Sequence, residues 1–413
     1  MAKNNSDFFK KKKIWSEVKD SLLACYLKPY FQKILKTRKP VLYIDCFAGK
    51  GKFDDGNDGS PLIALKIREC CLQNSFVNNN KIDMCFIDLR YGEDLKKNTE
   101  YYKKDGRIQI ISGKYEEKIL DLLQNKEGYN VFLYIDPYGI KALNSSLFSC
   151  FSSFAFASFE MLINLNSFGF FREACRVFDI DCNDEAFQEL DDFIVEYDAT
   201  TVDSTRESEE LLSRIADGDY WKEIVQKYRV SKLTGYQAEK ELSCEYKKRL
   251  QKKFSYVLDL PIRIKEGQQP KYRMIHVSNH SDGCFLMAQN MLKRKTEIYI
   301  YIQKNTQTSL LEGTNFLSKG GGEWIAKEII TNKIKTCINE LNSEISITKF
   351  IADFICKTGI LCEFNNIYAI LEELKCKNFI HIIRTPSITK KGLPSKFWGE
   401  KTGQSVILKR VNS

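Results

Sequence analysis

The chain has 413 residues, 43% of them hydrophobic and 28% charged, with a formal net charge of +9. That length makes two or three domains with ample core, and the mild positive excess permits a polyanionic partner without requiring one. No apolar run reaches membrane-spanning length, and no apolar segment follows the Lys10–Lys13 cluster, so the sequence predicts a cytoplasmic protein with neither a membrane partner nor a signal peptide.

Residues 8–36 read as a helix, because Trp15, Val18, Leu22, Leu23, Tyr26, Tyr30 and Ile34 recur at three- and four-residue spacing. Val41–Asp45 then reads as a first strand. It ends on an acid and opens into Cys46-Phe47-Ala48-Gly49-Lys50-Gly51. Glycines there let the backbone approach a ligand, at the strand end where open α/β sheets bind. A phosphate-cradling loop is excluded, since Cys46 and Phe53 stand where it needs a glycine and a Ser or Thr. A dinucleotide fingerprint lacks its third glycine, which is Asp54 here. Asp45 to Gly51 instead resembles motif I of class I S-adenosylmethionine methyltransferases.

Further strands are predicted at Ile82–Asp88, Arg107–Ser112, Val131–Asp136 and Phe154–Asn164, with helices at Pro61–Cys71, Gly92–Lys103 and Glu116–Gln124. Such alternation implies parallel strands joined by crossover helices. Tyr256–Ile264 and Tyr272–Ser278 flank a turn and resemble the hairpin that closes a class I methyltransferase sheet. Between lies a block expected to be a helical insertion. From Asp184 to Asp219 it holds thirteen acids against Arg206 and Arg214, and from Lys222 to Lys253 ten basic residues against four Glu. The acidic half is expected to be a solvated face. A helix should run from Asn279 to about Lys293, and Gly320–Gly322 marks a loop or linker. At the end, Ile345–Lys357 and Asn365–Lys377 read as helices, and Phe379–Arg384 and Ser405–Lys409 as strands, which is a winged-helix order.

The predicted fold class is therefore α/β: a Rossmann-like class I methyltransferase sheet with a helical insertion and a C-terminal winged-helix-like domain. The expected divisions are an N-terminal helix over 1–37, the core over 38–180, the insertion over 181–255, the closing hairpin and helix over 256–300, a linker or helical segment over 301–341 and a winged-helix-like basic domain over 342–413.

Asp45, Phe47, Ala48, Gly49 and Gly51 would meet the cofactor's amino acid end. Asp88 ends the second strand, where an acid can accept both ribose hydroxyls, and Gly113 follows the third strand near the adenine. Lys19 and Ser60 are candidates for the same cleft, as an ammonium that can pair with a carboxylate and a hydroxyl that can cap a helix. Leu133-Tyr134-Ile135-Asp136-Pro137-Tyr138-Gly139 resembles motif IV of amino-group methyltransferases, with one proline where two are usual. Asp136 and Pro137 would accept from an exocyclic amino group and Tyr138 would stack on a base swung out of its helix. In the tail, Arg384, Lys390, Lys391, Lys396 and Lys401 can neutralise phosphates, and Trp398 can stack on bases. Fourteen cysteines without a C-x-x-C pair, and three histidines, give no expectation of a metal site.

The segments Trp15–Lys19, Tyr26–Tyr30, Tyr43–Gly49, Gly59–Leu65, Phe86–Asp88 and Ile135–Gly139 together resemble the three-Cys-motif partner protein family. That resemblance implies a prokaryotic or phage setting and a partner protein bearing three cysteines. Two functions follow as expectations. One is S-adenosylmethionine-dependent methylation of a nucleic acid base, DNA or RNA. The other is a catalytically inactive, methyltransferase-like module that binds nucleic acid for a partner.

Overall fold

The computed structural model describes residues 9–75, 81–181, 205–263, 269–306 and 325–411. The chain divides into two units, Met1–Asn279 and His280–Ser413.

In the first unit, β1 (Val41–Asp45), β2 (Ile82–Asp88), β3 (Ile108–Ser112), β4 (Asn130–Ile135), β5 (Ser158–Leu165), β6 (Tyr256–Ile262) and β7 (Tyr272–Ser278) form one sheet. Its order is β3-β2-β1-β4-β5-β7-β6. Strands β1 to β5 run parallel, and β7 runs against both β5 and β6. This mostly parallel sheet is compatible with a Rossmann-like α/β fold. All five residues of β1 are buried, as expected of a central parallel strand covered on both faces.

One face is covered by α1 (Ile14–Ile34), whose Tyr26, Tyr30 and Phe31 meet Tyr43 and Phe132 in a cluster of aromatic contacts. The helix begins at Ile14 and not near residue 8. The segment before it is held across the glycine loop instead: Lys12 N donates to Asp55 Oδ2 at 2.9 Å, and its Nζ donates to the Asp58 carbonyl at 2.8 Å. The fifth strand starts at Ser158, four residues later than its apolar run suggests, because Phe154 and Phe156 stack on one another at a ring distance of 5.2 Å ahead of it.

The opposite face packs on α4 (Tyr115–Leu123), α5 (Ser145–Ser153) and α6 (Ser167–Val177), while α2 (Ser60–Gln73) and α3 (Gly92–Thr99) follow β1 and β2. The expected insertion is helical in its described part, as α7 (Thr205–Ala216), α8 (Tyr220–Arg229) and α9 (Gly235–Gln251). These helices are part of the core: Trp221, Ile224 and Leu242 are buried in the same apolar cluster as Leu133 and Phe159. Truncating a buried Trp of this kind costs about 3–5 kcal/mol. The acidic stretch from Asp184 up to residue 204 lies outside the described residues.

The second unit contains α10 (Ser281–Thr306), α11 (Lys327–Asn339), β8 (Ile345–Ser346), α12 (Ile347–Thr358), α13 (Phe364–Cys376), β9 (Ile380–Thr385) and β10 (Ser405–Arg410). Its three strands form an antiparallel sheet in the order β8-β10-β9. Ser346 Oγ accepts from Lys349 N at 3.3 Å and caps α12. Ile347, Phe350, Ile351, Phe354, Ile367, Ile370 and Leu371 are buried as the small core that their spacing predicts. Helix α10 groups with this unit and not with the closing hairpin, so the expected 256–300 segment splits at residue 279. Its Phe285 packs on Phe364 at a ring distance of 5.0 Å, and its Cys284 Sγ lies 3.6 Å from Cys356 Sγ. The Gly320–Gly322 linker lies outside the described residues. Among the described residues no helix is long and apolar enough to cross a membrane.

Candidate functional site

The loops that leave β1, β2 and β4, together with the end of β5, line a cleft of about 330 Å³, within the size range of small-molecule sites. The glycine loop forms one wall. Gly49 and Gly51 have φ of 60° and 77°, a region that side chains with a Cβ rarely adopt. A Cβ on Gly49 would also stand 2.9 Å from Phe9 Cζ. The loop is pinned to β2, with Ala48 N donating to the Ile87 carbonyl and Gly49 N to Asp88 Oδ2, both at 2.9 Å. Asp88 Oδ1 takes two more backbone donors, Arg90 N at 2.8 Å and Tyr91 N at 2.6 Å. A carboxylate offers about four acceptor positions, so Oδ2 retains capacity toward the cleft.

Asp45 departs from expectation. It is fully buried and does not line the cleft. Ser60 Oγ donates to its Oδ2 at 2.6 Å, and Phe47 N to its Oδ1 at 3.2 Å. Burial pushes its carboxyl up to about 7, against the lowering effect of those two hydrogen bonds. Asp45 thus stands one layer behind, and Ser60 faces the cleft in front of it. Ser60 is the first residue of α2, whose capping position is Gly59. Its hydroxyl therefore anchors to Asp45 and does not cap the helix.

The polar end of the cleft is built around Asp136. Lys19 Nζ, delivered by α1, donates to Oδ1 and Oδ2 at 2.8 Å each. Asn164 Nδ2 donates to Oδ1 at 2.7 Å, and Tyr134 OH to Oδ2 at 3.2 Å. Lys19 also stands 5.1 Å over the Tyr272 ring, where a cation gains from the ring's quadrupole. Next to it, Asp20 pairs with Lys12 at 2.6 Å. Its carboxyl is pushed up to about 6 by burial, with Lys12 and Lys19 pulling the other way.

Lys19, Phe47, Ala48, Gly49, Gly51, Ser60 and Asp88 line this one cleft, and so do Asp136, Pro137 and Tyr138. Tyr138 is 43% exposed and forms part of the rim. Gly113 is not among the lining residues. It donates its N–H to the Asp88 carbonyl at 3.1 Å and extends the β2–β3 pairing. The cleft also takes in Phe9, Asp20, Asn164, Asn166 and Tyr272, none of which the motifs identify. The only signal for the two asparagines is that polar residues flank Leu165 at the carboxyl end of an otherwise apolar strand.

In the second unit the tail residues separate into two groups. Arg384 is buried, its Nη2 donating to Glu372 Oε1 at 2.6 Å and its Nε to the Phe397 carbonyl at 2.8 Å. Its guanidinium lies 4.7 Å from the Trp398 ring, which also stacks on Tyr368 at 4.8 Å and 12°. Arg384 is therefore an internal packing residue, which corrects its expected role toward phosphate, while Trp398 beside it is half-buried. Lys390, Lys391, Lys396 and Lys401 are exposed in the segment between β9 and β10.

In comparisons with known proteins, no family model matches the chain, and no curated protein matches it.

Proposed function

We propose that the protein methylates an exocyclic amino group of a nucleic acid base, with S-adenosylmethionine as cofactor. The observation that carries this reading is a convergence. Gly49 and Gly51 after β1, Asp88 at the end of β2 and Asp136-Pro137-Tyr138 after β4 all meet in one cleft. The sheet order, with β7 alone reversed, is the order of class I methyltransferases and supports the same conclusion.

The residues fit the cofactor. The glycine loop presents backbone with no Cβ, Asp88 Oδ2 has room for a ribose hydroxyl, and Lys19 carries an ammonium that suits a carboxylate. S-adenosylmethionine supplies an electrophilic methyl group. Asp136 holds Lys19, Tyr134 and Asn164 in fixed positions, which is the preorganisation a transfer site needs. Tyr138 on the rim offers a face for an extruded base.

The second unit runs α11-β8-α12-α13-β9-β10, the order of a winged helix. Lys390, Lys391, Lys396 and Lys401 give its β9–β10 segment cations for a phosphate backbone. A protein bearing three cysteines remains the partner that the sequence resemblance suggests.

A second reading, the inactive binding module, draws on the Lys19–Asp136 pair, which occupies both carboxylate oxygens, and on the Phe9 ring lying against Gly49. Calorimetric titration with S-adenosylmethionine and its demethylated product separates the two. Micromolar binding corresponds to about 8 kcal/mol and supports the enzyme. Absence of binding, with nucleic acid still bound, supports the module.

A further inference from the structure

We propose that Asn164, through its side-chain oxygen, is the group that accepts a hydrogen bond from the amino group of the substrate base. The inference rests on the nucleic-acid reading above and names the residue that selects an amino-bearing base at that site.

Asn164, still within β5, lies beside Asp136, because β4 and β5 pair in parallel with Ile135 opposite Ile163. It is 2% exposed and lines the cleft. Its amide has two ends, and Asp136 decides which way they face. An ionised carboxylate accepts hydrogen bonds and has none to give. The 2.7 Å contact with Asp136 Oδ1 must therefore be made by the Asn164 NH₂ group. The amide oxygen is then turned away from Asp136. That oxygen is buried and has no hydrogen-bond partner. Among the described residues that line the cleft, it is the one buried side-chain oxygen in this condition.

A buried acceptor left unmatched costs about 1–3 kcal/mol, and native structures rarely keep one without a reason such as a ligand. The missing partner is a hydrogen-bond donor. Its charge can also be argued. Lys19 already neutralises Asp136 a few atoms away, so a second cation would meet repulsion, whereas a neutral N–H would not. An exocyclic amino group is a neutral donor of that kind. A base with a carbonyl at the same place would oppose oxygen to oxygen and be rejected.

Asp136 is less well suited to the same task. Lys19 contacts both of its oxygens, and Asn164 and Tyr134 add one bond each, so four hydrogen bonds already converge on it. That matches the acceptor capacity of a carboxylate. Asp136 is then a positioning residue that fixes the Asn164 amide and the Lys19 ammonium. Asn164 is the one that touches the substrate.

The test compares binding of short single-stranded oligonucleotides that carry adenine, cytosine or guanine with matched ones carrying purine, 2-pyrimidinone or hypoxanthine, which lack the amino group. Full-length wild-type protein should bind one amino-bearing member about tenfold tighter than its partner, as expected for one hydrogen bond to a buried acceptor. Asn164→Leu, close in size but with no acceptor, should bring that ratio to about one. Where Asn164→Leu does not fold, as judged by its melting transition, Asn164→Ala, which also lacks a side-chain acceptor, is measured in its place. Equal binding of every pair by the wild type, or a ratio that survives the substitution, overturns the proposal. Discrimination that is lost in the variant, in a wild type that transfers no methyl group, upholds Asn164 as the acceptor and removes the enzyme reading alone.

Discussion

Lys19 and Asp136, 117 residues apart in the chain, meet as an ion pair in which one ammonium lies 2.8 Å from both oxygens of one carboxylate. The two side chains are 9% and 19% exposed, so water screens the pair only weakly. Helix α1 makes the meeting possible. Its Tyr26 and Tyr30 dock on the sheet, and Lys19 sits about two turns earlier, over the carboxyl ends of the strands. Replacing Lys19 with Met keeps the stem but leaves the carboxylate without its countercharge. Urea unfolding should show a loss of about 1.5–3 kcal/mol, typical of a hydrogen bond to a charged group. In Lys19→Met combined with Asp136→Asn, part of that loss should return, because the uncompensated charge is gone. Additive losses would mean that the two residues are not coupled.

Asp45 sets a pH dependence. Its carboxyl is raised by burial from 3.8 to about 7, so the folded state holds its proton where the unfolded chain has released it. The stabilisation from this group is complete below about pH 4 and is lost as pH rises through about 7. Asp45→Asn, which has the same shape and no proton to lose, should remove this part of the pH slope. Measured as unfolding free energy from about pH 4 to 8, the difference between variant and wild type should move in the variant's favour as pH rises. A difference that stays constant with pH would show that Asp45 does not titrate in that window.

Gly49 is a position where shape and backbone both matter. Its φ of 60° is one that side chains rarely adopt, and a Cβ there would stand 2.9 Å from Phe9 Cζ, so the ring would have to shift. Gly49→Val should displace the loop from Asp88 and reduce S-adenosylmethionine affinity at least tenfold, or about 1.4 kcal/mol. Asp88→Ala should do the same by releasing the Gly49, Arg90 and Tyr91 amides. Calorimetric affinities equal to wild type in both variants would remove the glycine loop from the binding site.

Much of this site is legible in the sequence, and the limits have physical causes. Apolar runs ending in Asp45, Asp88 and Asp136 mark buried parallel strands whose ends carry polar groups, and two glycines spaced by one residue mark a close backbone approach. Which acid faces the cleft and which lies behind it depends on the pleat and on Ser60, and no spacing reveals that. Asn164 is hidden because a polar residue closing an apolar run looks like the end of a strand. Its importance comes from Asp136 beside it across a strand pair. Arg384 reads as a surface cation because its partner, Glu372, lies on the preceding helix and meets it only when that helix packs on β9. Periodicity misplaces the start of α1 because Lys12 is held by Asp55, Asp58 and Asp20, and none of those bonds follows a helical spacing.

The split among the tail cations predicts two different phenotypes. Changing Lys390, Lys391, Lys396 and Lys401 together to Ala should weaken nucleic-acid binding and flatten its salt dependence, by roughly one unit of slope for each phosphate no longer neutralised. Thermal stability should hardly change, because these side chains are exposed. Arg384→Ala should act in reverse, lowering stability by about 1–2 kcal/mol as its bonds to Glu372 and Phe397 disappear. Its effect on the salt slope at matched folded concentration should be small. An unchanged slope in the fourfold variant would exclude this segment as the nucleic-acid anchor.

The most direct test of the account is transfer of a labelled methyl group from S-adenosylmethionine to mixed single-stranded DNA and RNA, with wild-type protein and with Asp136→Ala. It should be run with and without the candidate partner protein. The account predicts label on an exocyclic amino nitrogen with the wild type. It predicts loss of that label in Asp136→Ala, with cofactor affinity nearly intact, because the hub acts on substrate geometry in the transition state. Wild-type protein that labels no nucleic acid under either condition, or a variant that labels it at the wild-type rate, would contradict it.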